Sequence, residues 1–159
     1  MKKIIRITTV PVALKVLLKG QLKFMNQYYE IIGVASSGNE HNDLHRDEGI
    51  RTEVIEMTRT ISPIKDILST YKLYKFLKQE KPFIVHTHTP KAGIVGMLAS
   101  YLAGVEHRFH TVAGLPLLVS TGPKRILLNL VEKWTYRLAT KVLPNSHGLC
   151  EIILKEKFA

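Results

Sequence analysis

The segment from Phe83 to Gly104, FIVHTHTPKAGIVGMLASYLAG, constrains the fold of this chain more than any other. It opens with the apolar run FIV, which is typical of a short strand buried on both faces. Thr89 then offers a hydroxyl that can cap a helix, and Pro90 suits the first helical position, where no N–H is needed. The helix that follows is rich in glycine and alanine, which indicates close packing of its backbone on the sheet. The segment therefore predicts a strand, a tight turn and a helix in direct succession.

Strand and helix patterns alternate along the whole chain in the same way. Strands are predicted at residues 3–9, 29–35, 51–57, 83–85, 107–112 and 141–145. Helices are predicted at residues 12–27, 62–81, 90–104 and 123–139, with a last helix after Ser146. This alternation is typical of right-handed βαβ crossovers. We therefore predict one α/β domain over residues 1–159, a doubly wound and mainly parallel sheet with helices on both faces.

Hydrophobic periodicity predicts which face of each helix is buried. For the helix that opens at Ser62, the predicted buried stripe is Ile64, Ile67, Leu68, Tyr71, Tyr74 and Leu77. For the helix that opens at Pro123, it is Leu127, Leu130, Val131, Trp134 and Leu138. In the first helix, Lys15, Lys19 and Lys23 recur every four residues and predict a basic ridge. A solvated face and a surface for phosphate or membrane are both compatible with this ridge.

The net charge of +10 favours a polyanionic partner. It favours nucleic acid, an acidic membrane leaflet or phosphorylated substrates, although a solubilising surface has the same composition. The single cysteine, Cys150, permits no internal disulfide and indicates a reducing compartment. No stretch approaches the roughly 20 apolar residues that a membrane-spanning helix needs, and the start MKKIIRITTV lacks a signal-peptide cleavage pattern. We therefore expect a cytoplasmic protein.

Several familiar sites are absent from the sequence. The first strand-to-helix turn has no G-x-G-x-x-G, and the chain has neither a P-loop motif nor a G-x-S-x-G elbow. These absences argue against dinucleotide binding, P-loop nucleotide hydrolysis and hydrolase-type acyl transfer. His41 and His45 lie four residues apart in the polar segment 36–49, but without the context of a zinc motif. We predict that this segment is a mobile, solvated loop or a short helix.

A candidate ligand site lies where the strand that begins at Phe83 meets its helix. In open α/β sheets, ligands bind outside the carboxyl ends of the strands, and His86, His88, Thr89 and Lys91 fall there. His86 and His88 share one side of their strand, and His110, near the end of the next strand, is predicted to converge with them. Three histidines could hold zinc, but no carboxylate is evident to orient them, so we predict no metal and no cofactor. Hydrogen bonding to a sugar hydroxyl or phosphate, and a purely structural role, are the two alternatives.

Four motifs in this order carry a resemblance: HTHTPKAGIVG, then YLAGVEHRFHTVAGLP, then EKWTYRLA in a basic amphipathic helix, then KVLPNSHG. Together they resemble the N-terminal domain of the retaining GT-B glycosyltransferases, of the type that builds bacterial capsular polysaccharide and O-antigen. The resemblance covers essentially the whole chain. Two departures stand out: Val10-Pro11-Val12 replaces a Gly-Gly pair found in many relatives, and Ala113 replaces a histidine.

The resemblance implies a Rossmann-like acceptor-binding half of a two-domain enzyme, without the C-terminal domain that binds the nucleotide-sugar. The whole enzyme would transfer a sugar from a nucleotide-sugar to a lipid-linked or polysaccharide acceptor in cell-surface glycan synthesis, and the isolated domain would be inactive. By matching position, residues 88–91 and 110–114 would line the cleft. His110 is then the candidate catalytic residue, and Gly114 joins the substrate-binding candidates.

The resemblance also implies a membrane-linked acceptor and a peripheral position on the inner face of the plasma membrane. The basic residues of the first helix and Arg125 would meet acidic lipid head groups, and Leu117 and Leu118 would contact the lipid chain. Nucleic acid is not expected, because aromatic residues are few and not interleaved with the basic ones. Two alternatives are a non-catalytic binding module for protein or nucleic acid on the same fold, and one chain of a two-chain transferase.

Overall fold

The computed structural model describes residues 1–156, which contain a six-stranded parallel sheet. The strands are β1 (Lys3–Ile7), β2 (Glu30–Ala35), β3 (Arg51–Val54), β4 (Ile84–Thr87), β5 (His107–Val112) and β6 (Lys141–Pro144). Their order across the sheet is β3-β2-β1-β4-β5-β6, and every neighbouring pair is parallel. The predicted α/β class and the doubly wound parallel sheet are therefore confirmed.

Helices connect the strands on both faces of the sheet. They are α1 (Pro11–Leu17), α2 (Gln21–Met25), α3 (Glu40–Asp43), α4 (Pro63–Glu80), α5 (Pro90–Ala103), α6 (Gly122–Leu138) and α7 (His147–Lys155). A π-helix, Leu44–Glu48, continues α3, so the polar segment 36–49 is largely helical. A short 3₁₀ helix, Pro116–Val119, precedes α6. Residues 157–159 of the predicted domain lie outside the described part of the chain, and within residues 1–156 no helix has the length and apolarity to cross a membrane.

Two hydrophobic cores lie on opposite faces of the sheet, because successive strand side chains alternate between them. Ile4 packs with Leu14 and Leu22 of α1 and α2 on one face. Ile5 packs with Leu73 of α4 and Met97 of α5 on the other. This division sets the two environments in which the site residues are found.

The first predicted helix is wrong in one respect: it is broken in the middle. Gly20 adopts a left-handed conformation, with φ of 73°, between α1 and α2. The buried carboxylate of Glu48 stabilises the new helix start, since it accepts hydrogen bonds from the backbone N–H groups of Gly20 (2.7 Å) and Lys23 (2.8 Å). The three ridge lysines are therefore divided between two helices and the turn that joins them, and Lys15 pairs with Asp43 of α3 at 2.6 Å.

The predicted buried stripes of α4 and α6 are largely wrong. In α4 the buried residues are Ser69, Leu73 and Leu77, one turn apart, whereas Ile64 is 83% exposed. The other exposed members of the two stripes are Ile67, Leu68, Tyr71, Leu127, Leu130 and Trp134. Both helices carry more apolar surface than the sheet and α5 can cover, and the excess faces outward. Leu77 and Leu138 are buried as predicted.

Candidate functional site

The carboxyl ends of β1 and β4 are joined by a pair of threonines. Thr89 Oγ1 accepts a hydrogen bond from the backbone N–H of Thr9 (3.0 Å) and lies 2.7 Å from Thr9 Oγ1. The hydroxyl of Thr89 therefore does not cap α5, although Thr89 occupies the N-cap position and Pro90 follows at the first helical position. The predicted side-chain cap is wrong because a partner eighty residues away takes the hydroxyl instead.

Ser36 extends this connection to two more strands. Its hydroxyl donates to the carbonyl oxygen of Thr9 (2.7 Å) and accepts from the backbone N–H of Met57 (2.9 Å). Four strand ends are thus held by hydrogen bonds between buried or half-buried groups. Such a fixed edge can present backbone N–H groups and helix starts to a ligand with little rearrangement.

A buried basic cluster lies on the α1–α2 side of this edge. The rings of His86 and His88 lie 4.1 Å apart between centroids, so their predicted shared side is confirmed. Arg6 Nε donates to His88 Nε2 at 3.0 Å, and the Arg6 guanidinium also contacts Gln21 and Met25. Arg6 is not among the site residues predicted from the sequence, although an arginine inside the apolar strand KIIRI is a usable signal.

Burial determines the charge of this cluster. It lowers the pKa of His86 to about 3 and the pKa of His88 further still, and the nearby Arg6 cation lowers both. Burial also lowers the pKa of Arg6 to about 10, so Arg6 carries the charge near neutral pH and the imidazoles do not. His88 accepts from Arg6 at Nε2, which places its own proton on Nδ1. The cluster can therefore exchange hydrogen bonds with a ligand but holds one cation, not three.

His110 lies on the opposite face of the sheet. It is in register with Thr87, whose Oγ1 lies 2.7 Å from His110 Nδ1. The predicted convergence of three histidines is wrong because strand register, which the sequence does not show, decides the face. His110 is only 2% exposed, and burial lowers its pKa to about 4. Within residues 1–156, no group of three or more histidine, cysteine or acidic side chains is placed to hold a metal.

The remaining predicted site residues occupy different surroundings. Lys91 Nζ donates to Asp66 Oδ2 at 2.6 Å, and the Lys91 side chain is only 12% exposed. Gly114 is exposed with open space beside it. Leu117 is fully buried and offers no surface to a lipid, whereas Leu118 is partly exposed. Arg125 is half-buried, 3.8 Å from Glu156.

An apolar groove of about 1000 Å³ adjoins Lys91, between α4, α5 and α6. We call it the α4–α6 groove. Its apolar lining includes Ile67, Tyr71, Tyr74, Ile94, Leu98, Leu102, Leu127 and Val131, and its charged lining residues are Arg59, Asp66, Lys91, Lys124 and Glu132. The groove was not predicted from the sequence, because the apolar stripes of α4 and α6 were expected to lie in the core. The width of those stripes was the signal that could have revealed it.

The sequence of this chain is similar to that of proteins of a known family. A family model described as glycosyl transferase 4-like matches residues 11–146. A capsular polysaccharide biosynthesis glycosyltransferase of Staphylococcus aureus is 32% identical over 158 residues, which are 99% of this chain and 41% of that protein. The UDP-Gal:α-D-GlcNAc-diphosphoundecaprenol α-1,3-galactosyltransferase of Escherichia coli is 38% identical over 117 residues, 73% of this chain and 29% of that protein. The chain thus spans less than half the length of these relatives.

Solved structures of low sequence identity share the fold. The HepE protein of Anabaena bound to UDP and glucose has a TM-score of 0.72 and 15% identity, covering 98% of this chain and 41% of that one. A glycosyltransferase of Rickettsia africae has a TM-score of 0.66 and 17% identity, covering 98% and 40%. A UDP-N-acetylglucosamine 2-epimerase has a TM-score of 0.71 and 19% identity, covering 98% and 45%. With the family model matching most of the sequence, the chain belongs to the glycosyl transferase 4-like family.

Proposed function

We propose that this chain is the acceptor-binding half of a glycosyltransferase of cell-surface glycan synthesis. The whole enzyme transfers a sugar from a nucleotide-sugar to a lipid-linked acceptor. The observation that carries the proposal is the alignment of 99% of this chain with 41% of a capsular polysaccharide glycosyltransferase. We propose that the groups that bind the nucleotide-sugar lie in the portion of the relatives' length that this chain does not span, so residues 1–159 alone transfer no sugar.

The carboxyl edge of the sheet is the proposed acceptor site. Thr89 and Lys91 lie at the start of α5, where backbone N–H groups and the helix dipole favour an anion such as a phosphate. Gly114 leaves open space at the end of the next strand. The half-buried His86 and the buried His88 support the edge from beneath, and His110 lies under Gly93 of α5. As placed, His110 supports the helix start rather than contacting substrate.

The chemistry of the groove and the name of one relative support the proposed acceptor class. One relative is named for an acceptor with a diphosphoundecaprenol group. A large apolar groove beside a helix start that favours phosphate suits an acceptor of this class. We further propose a peripheral, cytoplasmic enzyme whose exposed basic residues, including Lys19 and Lys23, attract it to an anionic bilayer, with no role in nucleic-acid binding.

The test uses the native polypeptide from the source cells. Its intact mass should exceed twice the 18.0 kDa of this chain, because the relatives are more than twice as long. The purified polypeptide should transfer labelled sugar from one member of a nucleotide-sugar panel to a lipid extract of the same cells. Lys91→Met should lower this transfer by roughly tenfold or more if the ammonium contacts a phosphate.

Lys78→Met is the matched control, because Lys78 is exposed on α4 and lies outside the groove. It should leave transfer unchanged. Absence of transfer from every nucleotide-sugar tested would contradict the proposal, as would epimerisation of the donor in place of transfer. A native mass equal to that of these 159 residues would exclude the single-chain enzyme and direct the search to a partner chain.

A further inference from the structure

We propose that the α4–α6 groove binds the hydrocarbon chain of a phosphate-headed lipid acceptor, with the phosphate at the end where α4, α5 and α6 begin. The inference rests on the proposed function and specifies which part of the acceptor this half of the enzyme binds. It replaces Leu117 as the predicted lipid contact, since the Leu117 side chain is fully buried.

The shape of the groove suits a single extended chain. Its floor is α5, which contributes Pro90, Ile94, Leu98 and Leu102, one residue per turn. At 1.5 Å per residue, these positions span about 18 Å. α4 and α6 flank this floor, so the apolar surface is concave. A flat bilayer surface cannot reach the floor of such a groove, whereas one hydrocarbon chain can lie along it.

The lining is apolar although water reaches it. Ile67, Tyr71, Leu102 and Leu127 are all exposed and all line the groove. Contiguous exposed apolar surface of this kind is rare on soluble domains and marks a binding site. Within residues 1–156, no other element covers these side chains. Burying them against a hydrocarbon chain would supply binding free energy through the hydrophobic effect.

Charge is distributed unevenly along the groove. Arg59, Lys91 and Lys124 all lie at the end where the three helices begin. Backbone N–H groups at those helix starts add positive potential there. Asp66 offsets Lys91, and the buried Glu132 has a raised pKa that favours its neutral form. Away from the helix starts the lining includes Tyr74, Leu98 and Leu102, and its charged residue is the buried Glu132 in the second half of α6.

This polarity identifies the occupant as an amphiphile with an anionic head. A second copy of the chain would need a complementary ridge that is apolar along its length and acidic at one end. A bilayer would contact the rims of the groove and leave its floor empty. A lipid phosphate satisfies both ends at once, and its head would lie beside Thr89 and Lys91 at the proposed acceptor site.

The test uses the 159-residue chain and geranylgeranyl diphosphate, titrated calorimetrically below its micellar concentration. Inorganic pyrophosphate and geranylgeraniol serve as the head alone and the chain alone. We expect the diphosphate to bind roughly tenfold or more tightly than either part, because each part uses only one end of the groove. Leu127→Glu should weaken binding by roughly tenfold or more, since it places a carboxylate in the apolar lining one turn from Lys124, where it meets the hydrocarbon and repels the anionic head.

Ile126→Glu is the matched control. Ile126 neighbours Leu127 on α6 and is 71% exposed, but it does not line the groove. Binding by this variant should stay within about twofold of the unaltered chain. Ile67→Glu and Ile64→Glu form a second pair on α4, in which only Ile67 lines the groove. Circular dichroism and urea unfolding of all four variants exclude misfolding as the cause.

Three results would overturn the inference: equal losses in the lining and control variants, binding to vesicles without binding to the soluble diphosphate, or self-association abolished by Leu127→Glu. Kinetic assays of the native enzyme distinguish a failure of this inference from a failure of the proposed function. Equal KM values for acceptors with short and long chains would overturn the groove assignment while leaving glycosyl transfer intact. The expected pattern of probe binding would support the groove even if no sugar transfer were found.

Discussion

The two faces of the sheet depart from the usual distribution of side chains in opposite directions. On the α1–α2 face, Arg6 and His88 are buried although both are polar. On the α4–α6 face, Ile67 and Tyr71 are exposed although both are largely apolar. Burying a polar group and exposing an apolar groove both cost free energy. We therefore expect each feature to persist only where function requires it. The α1–α2 face therefore provides a rigid polar support for the proposed acceptor site, and the α4–α6 face provides an open apolar groove beside it.

The largest expected effect on stability distinguishes the buried side of α4 from its exposed side. Leu73→Ala should lower the free energy of unfolding by about 2–5 kcal/mol, because Leu73 is fully buried against the sheet and α5. Ile64→Ala, on the same helix and 83% exposed, should change it by less than about 0.5 kcal/mol. Urea unfolding measures both values. Similar losses in the two variants would mean that another part of the protein covers the outer face of α4.

The second prediction tests the buried histidines on both faces of the sheet through acid stability. Unfolded histidines titrate near pH 6.5, whereas in the folded chain the pKa of His86 is about 3 and that of His110 about 4. Between these values the unfolded chain binds more protons, so stability is complete above about pH 6.5 and falls as the pH falls. By about pH 5, each of these two histidines should have lowered the free energy of unfolding by about 2 kcal/mol.

Urea unfolding at a series of pH values between neutral and about pH 5 measures this loss, above the pH range in which carboxylates without a raised pKa titrate. His110→Gln should make the dependence on pH shallower. His147→Gln, which changes an exposed histidine at the start of α7, should retain the full dependence. A stability that stays constant over this range would show that the buried histidines are not held neutral by the fold.

The sequence predicted the sheet well because buried parallel strands are rich in apolar and β-branched residues, as in β1 and β2. It predicted the close packing of α5 because glycines recur within that helix. It failed on α4, where periodicity shows that a face is apolar but not whether anything covers it. The same limit applies to α6.

The site could be predicted only where it depends on local sequence. The turn at Thr89-Pro90 was found from its motif, and the shared side of His86 and His88 follows from the alternation of side chains in a strand. The partner of the Thr89 hydroxyl is Thr9, which is distant in sequence, and the face of His110 depends on the register between β4 and β5. Both are non-local properties that no single segment encodes.

A third prediction tests the packing that holds α5 against the sheet. A Cβ on Gly96 would lie 2.5 Å from Thr87 Cγ2, so Gly96→Ala forces a buried contact apart. The overpacking should outweigh the gain in helix propensity and lower the free energy of unfolding by about 1–2 kcal/mol. Gly148→Ala in α7 is the matched control, because nothing lies within 4 Å of the added Cβ. Thermal unfolding should show the control unchanged or slightly stabilised, and a stabilised Gly96→Ala would contradict the close approach.

The smallest expected effect compares the two faces as membrane contacts. Lys19 is exposed on the α1–α2 side, and Lys78 is exposed on α4, on the other side of the sheet. If the α1–α2 side faces an anionic bilayer, Lys19→Ala should weaken binding to phosphatidylglycerol vesicles about fivefold, which corresponds to about 1 kcal/mol per lysine at the surface. Lys78→Ala removes the same charge from the far side and should weaken binding by less than about twofold. Vesicle sedimentation at low and high salt measures both. Equal losses would show that the net charge of +10, and not one face, drives the association, because only a defined contact can distinguish two lysines that contribute equally to that charge.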